Sequence, residues 1–139
     1  DKELKLKMNS NIVNSSIKYN TIIFHRSDNA KKISILKNKK IKLIYSDLNK
    51  YGNMDLKFIF KKIYEKQIHN VLVECGSKLT NNILKEKLFN EFYLFKSNNK
   101  IINKDSLNVK NINKNLKKTF KIKENINTYL DKDSLIHYY

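Results

Sequence analysis

Apolar residues fall along this chain in short bursts, each closed by polar or turn-forming residues, and the bursts alternate between strand-like and helix-like spacing. Thr21-Ile22-Ile23-Phe24 is a β-branched run read as a buried strand. After His25, Arg26 and Ser27 the pattern predicts a short helix from 29 to about 36. Ile41-Lys42-Leu43-Ile44-Tyr45 reads as the next strand, followed by a loop over 46–53 around Gly52. Asp55 stands where an N-cap belongs. Behind it Leu56, Ile59, Phe60, Ile63 and Tyr64 recur at helical spacing, with Lys57, Lys61, Lys62 and Lys66 off that stripe. Lysines opposite a core stripe are the ordinary solvated face of such a helix, although membrane-surface helices share the pattern.

Val71-Leu72-Val73 is apolar at consecutive positions, as in a parallel strand covered on both faces. A helix over 77 to about 87 follows, with Leu79, Ile83 and Leu84 facing inward, and then the apolar strand Phe92-Tyr93-Leu94-Phe95. Residues 97–114 are polar, rich in Asn and Lys, and read as a long loop. Phe120-Lys121-Ile122 and Ser134-Leu135-Ile136-His137-Tyr138 complete the series as strands at an antiparallel edge. The alternation predicts an α/β fold in three layers. A mostly parallel central sheet carries helices on both faces and antiparallel C-terminal strands. No repeat or linker divides the chain, so 1–139 is expected to be one domain, long enough for a real core.

Composition changes this picture in few places. No run of about 18 apolar residues occurs, which excludes a conventional membrane span. One cysteine, Cys75, rules out an internal disulfide framework and fits a reducing cytoplasm. The formal net charge is +16, but Arg26 is the sole arginine among 29 basic residues. Base readout and phosphate forks favour Arg, so the charge reads first as a lysine-rich solvated surface and only second as a nucleic-acid face. Such a charge would still draw in anionic metabolites.

Chemistry concentrates around Glu74, directly after the 71–73 run. Ligands of open α/β sheets bind outside the carboxyl ends of strands, which makes Glu74 a candidate binding carboxylate. A helix cap or a lysine partner is the alternative. Gly76-Ser77-Lys78-Leu79-Thr80 then opens a helix, where unpaired N–H groups and the positive dipole end could hold a phosphate or pyrophosphate. A plain strand-to-helix turn accounts for the same residues, and neither G-x-G-x-x-G nor G-x-x-x-x-G-K-[ST] is present. Cys75 is either a thiol tuned by the helix start or a small packed residue. His25, His69 and His137 lack metal-ligand spacing, and one cysteine cannot build a His/Cys/Cys zinc site. Ser27, at another strand's carboxyl end, is a cofactor contact or a turn serine.

The block from 70 to 95 resembles the reductase domain of bifunctional riboflavin-biosynthesis proteins, in which a deaminase precedes a 5-amino-6-(5-phosphoribosylamino)uracil reductase. The family pattern of an Asp-Leu helix start, then s-v-L-V-E-G-G, x-T-L-x-x-x-L-L and G-L-v-D-E-l, is carried by Asp55-Leu56 and Val71-Leu72-Val73-Glu74-Cys75-Gly76. It continues in Leu79, Ile83-Leu84 and Leu88-Phe89-Asn90-Glu91-Phe92. Asp1-Lys2-Glu3-Leu4-Lys5 is similar to its D-x-x-L-[RK], and Asp133-Ser134-Leu135-Ile136-His137-Tyr138 to its last strand, so the likeness runs along essentially all 139 residues.

The resemblance implies a dihydrofolate-reductase-like fold, NADPH as hydride donor, a phosphoribosylaminopyrimidine substrate and a cytoplasmic homodimer, with neither membrane nor nucleic acid as partner. It places Glu74 and Leu4 toward substrate. Gly76, Ser77, Lys78, Leu79, Thr80, Asn81 and Asn82, with Asp1 and Ser27, are placed toward the cofactor. It assigns no catalytic residue and no metal. The sequence departs from the family where Cys75 replaces the first glycine, Lys78 stands for threonine, and Lys87 replaces a helix-ending glycine. A left-handed residue at Lys87 would cost about 1 kcal/mol. The family's first strands and the zinc deaminase domain are expected upstream of Asp1, which marks the chain as an expected fragment, unable to turn over alone. Another dihydrofolate-reductase-like pterin or pyrimidine reductase is the nearest alternative, and a basic nucleic-acid-binding module the alternative from a different class.

Overall fold

The computed structural model describes residues 1–97, 110–129 and 132–139. These form a mixed α/β protein in two compact units, Asp1–Val71 and Leu72–Tyr139.

The first unit contains α1 (Asn11–Asn14), β1 (Ile22–His25), α2 (Ala30–Asn38), β2 (Lys42–Tyr45) and α3 (Leu56–Tyr64). β1 and β2 pair in parallel, Ile22 opposite Lys42 and His25 opposite Tyr45, with α2 as the crossover between them. Leu4, Val13, Ile23, Leu36 and Ile41 are the buried core, with Leu6, Met8, Ile33 and Leu43 packed on it. Local chemistry sets the helix starts: Asn29 Oδ1 accepts the Lys32 N–H at 3.0 Å and Asp55 Oδ1 the Phe58 N–H at 3.1 Å. α2 ends in a Schellman turn, Ile41 N–H to Leu36 O and Lys40 N–H to Lys37 O, with Lys40 at φ 60°.

The second unit contains α4 (Ser77–Lys85), β3 (Phe92–Lys96), α5 (Lys110–Thr119), β4 (Lys123–Ile126) and β5 (Ser134–Tyr138). Its sheet is antiparallel in the order β3-β5-β4. Leu84 of α4, Ile112 and Leu116 of α5 and Tyr138 of β5 form a second core, joined by Phe89, Phe92, Leu94, Phe120 and Ile136. Alternation along β3 and β5 puts Tyr93 and His137 on the opposite face, where their rings stack at 4.3 Å between Glu91 and Glu124.

Several expectations change. The central sheet is not clearly parallel: among the described residues the one parallel pair is β1-β2, and Phe92–Lys96 pairs antiparallel with β5. Among the described residues, 71–73 join no ladder; Leu72 is 86% exposed and Val71 is exposed as well. Side chains that read as a two-sided buried strand form one only when strands lie alongside to take up their N–H and C=O groups. Residues 110–114 of the expected loop belong to α5, because Ile112 and Leu116, four apart, supply a buried stripe. The rest of that loop, 98–109, lies outside the described residues. The strand expected at 120–122 begins instead at Lys123, and Ile122 exchanges backbone hydrogen bonds with Tyr139. Among the described residues no helix is long and apolar enough to cross a membrane.

Candidate functional site

In the second unit the residues leading into α4 make an open helix start. Gly76 is the N-cap, with extended backbone (φ −74°, ψ 166°) and no side-chain cap, so the first-turn N–H groups keep their hydrogen-bonding capacity. A Cβ built on Gly76 would meet nothing within 4 Å. Neither conformation nor packing within the chain therefore calls for glycine here; the missing side chain leaves free approach to the N–H groups. Glu74, two residues earlier, is exposed, and among the described residues its carboxylate neither caps α4 nor pairs with a lysine. Both internal alternatives for Glu74 are thus unrealised.

The other α4 positions divide sharply. Ser77 is half-buried at the first turn, while Lys78 is exposed. Leu79, expected inward, is 41% exposed, since Thr80, Ile83 and Leu84 take the buried stripe. The Thr80 hydroxyl is buried and occupied, 3.2 Å from the Gly76 carbonyl and 3.2 Å from Cys75 Sγ. Cys75 itself is exposed, which overturns its reading as a packed residue. Asn81 turns toward α5, its Oδ1 accepting from Asn115 Nδ2 at 3.0 Å, and Asn82 is half-buried, its carbonyl accepting the Glu86 N–H. α4 closes with Leu88 N–H to Ile83 O and Lys87 N–H to Leu84 O, Lys87 lying at φ 55° in the left-handed region expected of it.

In the first unit Asp1 spends its carboxylate on its own turn, accepting the Lys5 and Leu6 N–H groups at 3.0 and 2.8 Å. Leu4 is 1% exposed, at φ 52°, with its side chain in the core. Ser27 lines a cavity of about 600 Å³ at the carboxyl ends of β1 and β2, together with His25, Asp28, Ile33, Lys37 and Tyr45. Sequence reasoning noted Ser27 and passed over His25, Lys37 and Tyr45. The rule that points to Glu74, a strand's carboxyl end, points equally to His25 and Tyr45. His25 is 5% exposed, and burial lowers its pKa below the ordinary histidine value, so the ring is neutral at pH 7. Arg26 pairs with Asp47 and lies 5.3 Å over the Tyr45 ring. Among the described residues no group of three His, Cys, Asp or Glu side chains is arranged to hold a metal ion.

A parallel β-α-β pair beside a lined cavity in the first unit, and in the second a helix start without a side-chain cap, define a mixed α/β protein. Residues 1–97 match the family model of the RibD C-terminal domain, and the chain belongs to that family. Membership makes it a pyrimidine-reductase-type oxidoreductase domain of riboflavin biosynthesis. The matched span takes in every element from α1 to β3; α5, β4 and β5 lie beyond it. No curated protein matches the chain significantly.

Proposed function

We propose that this protein is an NADPH-dependent reductase that converts 5-amino-6-(5-phosphoribosylamino)uracil to its ribitylamino counterpart, in the cytoplasm, on a dihydrofolate-reductase-like scaffold. The observation that carries the reading is the Glu74–Gly76 turn within a matched family span: a carboxylate with no partner among the described residues, followed by an uncapped, sterically open helix start.

The donor set at that turn fits NADPH. First-turn N–H groups of α4 and the Ser77 hydroxyl offer hydrogen bonds to a pyrophosphate, Lys78 offers a compact positive charge, and Gly76 lets the phosphate come close. When bound, NADPH supplies the hydride that reduces the open-chain imine of the ribosylamino group. Glu74 accepts hydrogen bonds from the substrate and orients it, which is where the protein's share of the rate arises. Thr80, with its hydroxyl already bonded, and Asn81, bonded to Asn115, support the turn from behind.

Fluorescence titration of the protein with NADPH and NADH tests the reading. Saturable NADPH binding is expected, while Glu74→Gln leaves that binding intact and weakens binding of the pyrimidine substrate. Absence of NADPH binding in a folded protein would overturn it. Tight binding to DNA that collapses with salt and ignores Glu74→Gln would replace it with the basic-module alternative.

A further inference from the structure

The cavity at the ends of β1 and β2 contains a histidine whose hydrogen bonding depends on its protonation state. His25 Nδ1 lies 3.2 Å from the Ser27 backbone N–H. A backbone N–H only donates, so Nδ1 must present its lone pair and the ring's single proton sits on Nε2. The bond continues into the next turn: Ser27 Oγ accepts the Asn29 N–H at 3.3 Å, and Asn29 Oδ1 caps α2 by accepting the Lys32 N–H. Three consecutive bonds thus connect the His25 ring to the first turn of α2, and the middle one fixes the Ser27 hydroxyl at the cavity wall.

A second proton on the ring would set an Nδ1–H against the Ser27 N–H, donor facing donor, and the first bond would be lost. We propose that His25 is a proton-operated latch on the Ser27 turn: the neutral ring holds Ser27 in place, and the protonated ring releases it.

The groups around the ring set the direction of the switch. Burial lowers the His25 pKa most strongly, and the positive charges of the Asp1 amino group and of Lys37 act the same way, while the hydrogen bond to the Ser27 backbone and the Asp28 carboxylate act in the raising direction. The Tyr45 ring packs edge-on at 5.8 Å. Because the Ser27 N–H occupies the Nδ1 lone pair, the held turn binds a proton at Nδ1 less readily than the released one. The latch is closed above the ordinary histidine value of 6.5 and weakens as pH falls below it.

Proton and amide NMR of the protein between pH 7.5 and 4.5 tests the latch directly. The His25 ring resonance and the Ser27 amide should move with one midpoint. In His25→Asn, whose side-chain oxygen can accept the same N–H without titrating, the Ser27 amide should stay flat. A Ser27 amide that ignores the ring titration in the unsubstituted protein, or drifts equally in the variant, overturns the proposal.

Discussion

α3 and α4 are both nine-residue helices, and they begin in opposite ways. α3 starts at Asp55, whose carboxylate closes the helix by accepting the Phe58 N–H. α4 starts at Gly76, which contributes no side chain, so among the described residues no side chain caps the first-turn N–H groups. The first start has one N–H satisfied and a carboxylate standing at the helix end, where it repels an anion. The second gives up about 0.3 kcal/mol of capping and keeps an anion-ready end. Helix propensity does not distinguish them; the difference is one residue at the junction. Glu74, whose carboxylate has no partner among the described residues, lies two residues before that open end.

Giving α4 the kind of cap that α3 has should produce the largest effect. Gly76→Asp is expected to raise stability slightly, by about 0.3 kcal/mol, since glycine is only a modestly poorer cap than aspartate. It should weaken NADPH binding about a hundredfold, ~2.8 kcal/mol, by placing a carboxylate where the pyrophosphate would lie. Parallel thermal melts and NADPH titrations would show the two signs diverge; equal NADPH affinity in the variant would mean that the open end is not a phosphate site. Opening α3 is the converse experiment. Asp55→Ala should cost about 1 kcal/mol in denaturant unfolding and leave NADPH affinity within about twofold. The smallest change concerns the far end of α4. Lys87→Gly removes a left-handed strain of about 1–2 kcal/mol and adds about 0.5–1 kcal/mol of backbone entropy cost, so a gain of about 0.5 kcal/mol is expected. A loss of stability there would show that the Lys87 side chain contributes more than its backbone costs.

Much of the fold was legible where a signal is local. β1, α2, β2, the Asp55 cap, α3, α4 and β5 all follow from runs, caps and periodicity within a few residues. Lys87 was legible as a left-handed helix end because a Schellman turn needs that conformation whichever residue supplies it. The 71–73 run and the pairing of β3 were not, because a ladder partner lies at a distance along the chain and an apolar run does not name it. α5 was missed because two buried positions, Ile112 and Leu116, are a faint stripe among asparagines and lysines. At the candidate site the Gly76 turn was legible as a helix start, whereas the strand end expected to carry Glu74 is not formed, since 71–73 join no ladder among the described residues. The commitments of Asp1 to its own backbone, Leu4 to the core and Asn81 to Asn115 were invisible, since each depends on what folds against it.

By itself the sequence determined the family, through the Val71–Gly76 block and its spacing, and determined the helix junctions, because caps and turns are set by neighbours in the chain. The tertiary structure decided which candidate side chains remain unspent. Glu74 and Gly76 stay open, Thr80 and Asn81 are used internally, and His25 and Tyr45 meet at one cavity although twenty residues separate them along the chain. A hydrogen-bonding group can serve a ligand only if nothing inside the protein has already satisfied it, and that is settled by packing between distant segments.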